Sequence, residues 1–383
     1  MGPLQDIRET WARFLNEENV TLAFARRKRW LILAVSVAVL IPCFWHRRIE
    51  AGDLASHVYN AWLALLTEKG QAPGLYIAAQ WNNILFDITL LGLAKVVGFA
   101  AAEKIGVSLC VLTFFWGVFA LISAVTERPP WLLTPCIAML AYGYSFSMGF
   151  MNYYWSLGLA CFALALLCKA QGMDWVGGCI FAVLALLAHP IGFLWLAGTL
   201  AYVKIRARLP GWWKLALPLA GATAPFAAYW YTAHGPDFGA DWERGPFYLY
   251  NGADQLALYR TRYIWLAAAA FCFGMTCLVI DVYSRRRELG LWKRFELPVE
   301  LYALAFCVTA LLPENMRPSM YAGWVGLLGS RLTTISAILG LSILGLLKPR
   351  KWHVAGFGTV LLIFGGFLYQ DTEWLNRLED NAE

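Results

Sequence analysis

Long apolar runs recur along nearly the whole chain, and they restrict the possible fold more than any other feature. Each run holds roughly 17–25 residues, the length that a helix needs to cross a hydrocarbon core of about 30 Å. Only helices and closed barrels satisfy their backbone hydrogen bonds in a bilayer, and the alternating pattern of barrel strands does not occur here. The residues are 60% hydrophobic and 15% charged, as membrane helices require. The sequence predicts an all-α, polytopic integral membrane protein.

About eleven transmembrane helices are predicted from these runs. They are placed at 30–45, 83–101, 105–125, 131–149, 152–170, 174–203, 213–232, 262–283, 296–312, 323–347 and 352–369. If the first basic cluster is cytoplasmic, the three later basic loops also fall inside. The helix count stays open around 126–154 and in the overlong span 174–203, which His189-Pro190 interrupts. Two errors in those regions would cancel and leave the later orientation unchanged.

The chain is predicted to form one transmembrane domain at 30–370. A cytoplasmic amphipathic segment at 1–29 precedes it, and a short tail at 371–383 follows. The net charge of +6 lies in the connecting loops and is interpreted as setting orientation, so no nucleic-acid partner is expected. The nine cysteines accompany apolar runs and are expected to be core residues. We expect the protein in a bacterial inner membrane, with its site facing outward.

A polar cluster directly follows the first span, where Glu50, Asp53 and His57 lie close together in the sequence. The segment from Gly52 to Gly70 is predicted to be an interfacial helix in the first outer loop. Asp53, His57 and Asn60 would share one face of that helix. Ionisable groups beside a bilayer tend to be functional. Asp53 is therefore a candidate general base, and the alternative is that it only caps the helix.

Four further polar residues interrupt or border apolar spans. Asp87 should point into the bundle, where it could hold a divalent cation, orient a substrate or pair with a cation. Arg331 needs an anionic partner, either a phosphate group or an acid such as Asp87. Arg317 is a weaker phosphate candidate. His189 is a candidate site residue, although a lone histidine in a helix is more often a hydrogen-bonded core residue.

The chain combines an outer loop that opens on Gly52-Asp53, a surface helix, about eleven spans and a late intramembrane arginine. In these features it resembles the GT-C class of polyprenyl-phosphate-sugar-dependent glycosyltransferases. The resemblance implies an acidic catalytic residue in the first outer loop, which Asp53 matches. It also implies basic residues that hold the donor phosphate, which Arg331 and Arg317 match. Many members carry an acidic pair in that loop, whereas here two residues separate Glu50 from Asp53.

We therefore expect transfer of a sugar from a polyprenyl-phosphate-linked donor to a glycan, lipid or protein acceptor at the extracytoplasmic face. Asp53 and His57 are the expected catalytic residues. The expected substrate-binding residues are Glu50, Asn60, Asp87, His189, Arg317 and Arg331. Whether Asp53 and Asp87 hold a divalent cation, Mg²⁺ or Mn²⁺, stays open. So do two other functions, a transporter or flippase of a lipid-linked or anionic substrate and a noncatalytic membrane subunit.

Overall fold

The computed structural model describes residues 20–168, 174–234, 238–242, 251–318 and 326–382, and most of them are helical. The α-helices are α1 (Val20–Phe44), α2 (Leu54–Glu68), α3 (Leu85–Val97), α4 (Phe99–Thr126), α5 (Thr134–Ala141), α6 (Tyr144–Ser147), α7 (Met151–Leu167), α8 (Asp174–Ala188), α9 (Pro190–Arg208), α10 (Trp213–His234), α11 (Thr261–Ser284), α12 (Leu291–Leu311), α13 (Leu328–Leu344) and α14 (Lys351–Ala382). Short 3-10 helices cover Trp131–Leu133 and Ala253–Leu256. The predicted helical class is confirmed.

Helices α4 and α7 form the centre of the bundle, because glycines let their backbones come unusually close. A Cβ atom added at Gly117 would lie 2.2 Å from the carbonyl oxygen of Gly158, and one added at Gly158 would lie 2.7 Å from the Phe114 backbone. Small residues are typical of such close crossings between membrane helices. Beside this crossing, the rings of Phe114 and Tyr154 stack with centroids 4.4 Å apart.

In the described ranges, three helices are long and apolar enough to cross a membrane, namely α4, α11 and α14. Helices α7, α8 and α13 are also apolar but have 17 residues or fewer. All nine cysteines lie in the described part of the chain and are unpaired thiols, and five of them are buried. Three candidate membrane spans are thus found among the described residues, and the number of eleven spans remains a prediction.

One end of the bundle, here called the basic end, collects the three predicted basic loops. Arg206, near the end of α9, bonds Glu300 of α12 at 2.6 Å and Glu296 at 3.0 Å. Lys348, between α13 and α14, pairs with Glu288 at 3.0 Å. The connections after α9, α11 and α13 therefore lie together, as the charge pattern predicted.

The opposite end, here called the α2 end, is where α1 finishes and α2 begins, and it holds both ends of α3. At the start of α3, the Ile84 N–H donates to the Leu187 carbonyl at 3.2 Å. After α3, Lys104 of α4 donates to the carbonyls of Cys43 and His46, at the end of α1. A 13-residue helix is also only about 20 Å long. The predicted span 83–101 is therefore wrong, because both ends of α3 lie at the α2 end and the helix does not cross the bundle.

The predicted overlong span 174–203 is also wrong as a single element, because it contains the two helices α8 and α9. Ser156, near the start of α7, donates to the carbonyls of Ala185 and His189. Helix α8 therefore ends at the α2 end, while α9 starts there and runs to Arg206 at the basic end. His189-Pro190 reverses the chain instead of kinking one helix. The extra helix adds one crossing to the predicted number and α3 removes one, so the predicted orientation of the later helices is unchanged.

The connections before α11 and before α13 meet in a small antiparallel sheet that was not predicted. It consists of β1 (Phe238–Asp241) and β2 (Asn315–Pro318). The predicted tail 371–383 instead continues α14 as a helix to Ala382. Of the predicted amphipathic segment 1–29, the part before Val20 lies outside the described residues.

Candidate functional site

Asp53 is held at the start of α2 by the turn between α6 and α7. The backbone N–H groups of Gly52 and Asp53 donate to the carbonyls of Ser147 and Met148 at 2.9 and 3.0 Å. Gly149 has a φ of +75°, and a Cβ atom there would lie 2.3 Å from the Asp53 nitrogen. Only glycine suits that backbone conformation and that close approach. The turn therefore fixes the backbone of Asp53 directly.

The carboxylate of Asp53 does not cap its own helix. Asp53 occupies the N-cap position of α2, but its side chain makes no capping hydrogen bond, and 53% of it is exposed. An N-cap aspartate ordinarily accepts a hydrogen bond from an N–H in the first turn of its helix. The alternative in which Asp53 serves only as a cap therefore does not describe this structure.

His57 lies between two carboxylates, one on its own helix and one on α3. Its Nδ1 atom is 2.7 Å from Oδ1 of Asp87, and its Nε2 atom is 3.9 Å from Oδ2 of Asp53. The edge of its ring packs against Phe86, with centroids 5.4 Å apart and the planes at 83°. The predicted shared face of Asp53 and His57 is present, and Asp87 approaches it from the neighbouring helix.

Asp87 is held in turn by Asn152, which the sequence did not single out. Asn152 Nδ2 donates to Asp87 Oδ2 at 2.7 Å, and Asn152 Oδ1 accepts from the Phe86 N–H at 2.8 Å. Asn152 is buried near the start of α7. A buried amide in an apolar helix needs partners, and that requirement is the one signal that could have identified it.

Arg331 lies in the first turn of α13. Its guanidinium is 4.2 Å from the ring centroid of Phe150, and its buried Nε atom makes no hydrogen bond. Asp53 and Glu314 are close enough to interact with it electrostatically. The sequence left open an Arg331–Asp87 pair, but the two oxygens of Asp87 bond His57 and Asn152 instead.

Two further predicted residues lie around this group without contacting Asp53. Asn60 is exposed on α2, one turn beyond His57. His189 is the N-cap of α9, where its Nδ1 accepts from the Ile191 N–H at 3.2 Å and its ring meets that of Tyr153 edge-on. Tyr153 also donates to the Arg331 carbonyl at 2.5 Å. His189 thus borders the Arg331 region in a structural role.

Arg317 and Glu50 belong to other surroundings. Arg317 is exposed on β2, opposite Gly239. Glu50 accepts a 2.5 Å hydrogen bond from Asn376, near the end of α14. Burial raises the pKa of Glu50 from its ordinary 4.5 to about 7, with a smaller contribution from the charge of Glu379. Glu50 therefore joins the first loop to α14, and it does not form an acidic pair with Asp53.

A divalent cation held by Asp53 and Asp87 remains a prediction. In the described part of the chain, no group of three or more His, Cys, Asp and Glu side chains is arranged to hold a metal ion. Both oxygens of Asp87 accept hydrogen bonds, from His57 and Asn152. Each carboxylate oxygen has a second lone pair, so a cation at Asp87 would share the carboxylate with these donors.

Comparison of the chain with protein-family models, with curated proteins and with solved structures finds no match.

Proposed function

We propose that this protein is an integral membrane glycosyltransferase that uses a polyprenyl-phosphate-linked sugar as its donor. The observation that supports the proposal best is the uncapped, half-exposed carboxylate of Asp53, within electrostatic range of the half-buried Arg331. The Asp53 carboxylate is suited to accept a proton, and the Arg331 guanidinium is suited to neutralise a phosphate. Glycosyl transfer from a lipid-linked sugar needs both.

Asp53 is the general base in this proposal. The acceptor hydroxyl attacks the anomeric carbon, its proton passes to Asp53, and the bond from that carbon to the phosphate oxygen breaks. His57 lies beside the base, with Nε2 3.9 Å from the Asp53 carboxylate. Asp87 holds His57 and does not contact the substrate.

Arg331 is the proposed counter-charge for the phosphate leaving group. A partly buried guanidinium is costly unless an anion compensates it, and Asp53 and Glu314 at longer range compensate it only in part. A phosphate could accept hydrogen bonds from Arg331, including its unbonded Nε. A charge fixed in a partly dehydrated site stabilises the developing anion strongly.

The α2 end would face the outside and the basic end the cytoplasm, by the positive-inside rule. In this arrangement, α3 stays on the outer side together with α2. The shorter apolar helices would complete the membrane domain, and the inner membrane of a bacterium is the proposed location.

The test is Asp53→Asn in purified protein, assayed for sugar transfer from a polyprenyl-phosphate-linked donor. We expect transfer to fall at least 100-fold, because general-base catalysis typically contributes about 10²–10⁴-fold, while donor binding is retained. The matched control is Glu68→Gln, which neutralises a partly exposed acid at the far end of α2. Undiminished transfer by Asp53→Asn would exclude Asp53 as the base. Donor binding without transfer by the unmodified protein would favour a flippase or a noncatalytic subunit.

A further inference from the structure

The orientation and the tautomer of His57 are set by residues outside its own helix. Its Nδ1 atom lies 2.7 Å from Asp87, and a carboxylate can only accept a hydrogen bond. Nδ1 therefore carries the hydrogen. In the neutral ring, Nε2 is then left with its lone pair, as in other histidines that a carboxylate orients.

Asn152 makes this arrangement rigid. Its Oδ1 faces the Phe86 N–H and its Nδ2 faces Asp87, so a flipped amide would bring two acceptors together. Since Phe86 also packs against the ring of His57, two adjacent residues of α3 hold the imidazole. Asp87 and Asn152 are therefore positioning residues, and His57 is the group that they present.

Asp53 and His57 consequently offer two hydrogen-bond acceptors to the same space. Asp53 Oδ2 and His57 Nε2 are 3.9 Å apart, which is too long for a hydrogen bond, and with the ring neutral neither atom carries a hydrogen. Both side chains are accessible, with 53% of Asp53 and 13% of His57 exposed. A single hydroxyl has one hydrogen, so it can satisfy only one of the two acceptors.

We propose that this pair recognises two neighbouring hydroxyls, so that the acceptor substrate is a saccharide with a vicinal diol. One hydroxyl donates to Asp53 and the next to His57, at ordinary lengths of about 2.7–2.8 Å. The inference rests on the proposed function for the reaction that follows binding. The hydroxyl on Asp53 is the one that attacks, because Arg331 lies on that side, near the expected donor phosphate.

The transfer step balances with these roles. The oxygen on Asp53 bonds to the anomeric carbon of the donor while the bond from that carbon to the phosphate oxygen breaks. Its hydrogen moves to Asp53 Oδ2, and the phosphate leaves with the electron pair. The hydroxyl on His57 keeps its hydrogen throughout. His57 therefore determines which acceptor is used, and it does not take the proton.

Matched acceptors test this inference in the purified full-length protein. The probes are methyl hexopyranosides and their monodeoxy analogues, with a polyprenyl-phosphate hexose as donor. For the unmodified protein we expect kcat/KM to be roughly tenfold or more higher with the intact diol than with the analogue that lacks the hydroxyl beside the attacking one. In His57→Phe this ratio should fall to about one while transfer to the deoxy acceptor persists. Glu68→Gln, a change at the far end of the same helix, should keep the ratio.

Equal transfer to both acceptors by the unmodified protein would overturn the inference and leave the proposed function standing. A ratio that His57→Phe leaves unchanged would also overturn it. Histidine NMR gives a readout besides activity, because the chain has only five histidines and His57→Phe identifies the His57 signal. A diol glycoside should shift the Nε2 signal of His57 and its monodeoxy analogue should not. A diol-specific shift without transfer would support the binding site and refute the glycosyltransferase.

Discussion

Glu50 and Asp53 are close in sequence, but their carboxylates have different surroundings at the α2 end. The Asp53 backbone is fixed by the turn before α7, and its carboxylate stays open. The Glu50 carboxylate instead bonds Asn376 of α14 in a less exposed position. The two acids of the first loop are thus divided between a proposed catalytic role and a structural one.

The raised pKa of Glu50 predicts a pH-dependent contribution to stability. Its folded-state pKa is about 7 and its ordinary value is 4.5, so the folded state favours the protonated form. This contribution is present below pH 4.5 and is lost as the pH rises to about 7. Glu50→Gln, which is permanently neutral, should therefore gain thermal stability over the unmodified protein across that range, with no further gain above it.

Thermal unfolding of both proteins between pH 4 and 8 measures this difference. The nearby pairs of Arg48 with Glu379 and Asp380 are present in both proteins, so their contributions to stability largely cancel in the comparison. A stability difference that stays constant across the range would contradict the assignment of the raised pKa to Glu50.

Part of the site could be predicted from sequence, because helical spacing is a local property. The spacing of Asp53 and His57 predicted one shared face, and the two side chains do approach each other. Asp87 and Asn152 could be assigned to His57 only once α3 and α7 were known to pack beside α2. Their pairing depends on tertiary packing, which no local pattern encodes.

At the scale of elements, apolar patterning predicted helices well and their paths poorly. One apolar face of α3 is buried against α4, as Phe86 and Leu90 show beside Gly106, so this face needs no bilayer to bury it. Apolar composition reports burial, and it does not distinguish a crossing from a helix packed on one end.

The path of α3 can be tested on native lysines with a membrane-impermeant amine reagent and mass spectrometry. In sealed vesicles with the α2 end outward, we expect Lys69 and Lys95 to react together. Lys204 and Lys293 should react only after the vesicles are opened, and all four are exposed. If Lys95 were labelled together with Lys204 instead, α3 would cross the membrane.

The crossing of α4 and α7 predicts a severe effect of one added methyl group. In Gly158→Ala, the new Cβ would lie 2.7 Å from the Phe114 backbone, so the helices must separate. We expect a loss of about 1–3 kcal/mol, as is typical of overpacking. The measurement is reversible unfolding in detergent.

Gly198→Ala is the control for this change, since nothing lies within 4 Å of a Cβ atom at that position of α9. It should be neutral or gain up to about 1 kcal/mol from better helix propensity. Equal stability of the two variants would show that the close crossing does not limit the packing.

At the scale of the whole molecule, the end of α14 holds the first loop in place. Asn376 accepts from the Arg48 N–H at 2.9 Å and donates to the Arg48 carbonyl and to Glu50. Asp371, also on α14, pairs with Arg260 and Arg262 before and at the start of α11. One helix therefore ties together two connections at the α2 end.

Asn376→Ala should loosen the first loop and expose it to trypsin, which cleaves after arginine. We expect cleavage at Arg47 and Arg48 to speed up several-fold, because local opening controls access to a protease. Glu373→Ala, which removes only an exposed pair with Arg377, is the control and should leave the rate unchanged. Identical rates in the two variants would show that Asn376 does not restrain the loop.

The contact between Arg48 and Asn376 also has a consequence for the order in which the protein is assembled. It joins residues 328 positions apart, and such distant contacts carry a large loop-closure cost and form late. On the ribosome, the segment with Asp53 emerges long before α14 is translated. A nascent chain therefore contains the proposed base while the loop beside it still lacks its final support, and the geometry needed for transfer is completed only when α14 docks.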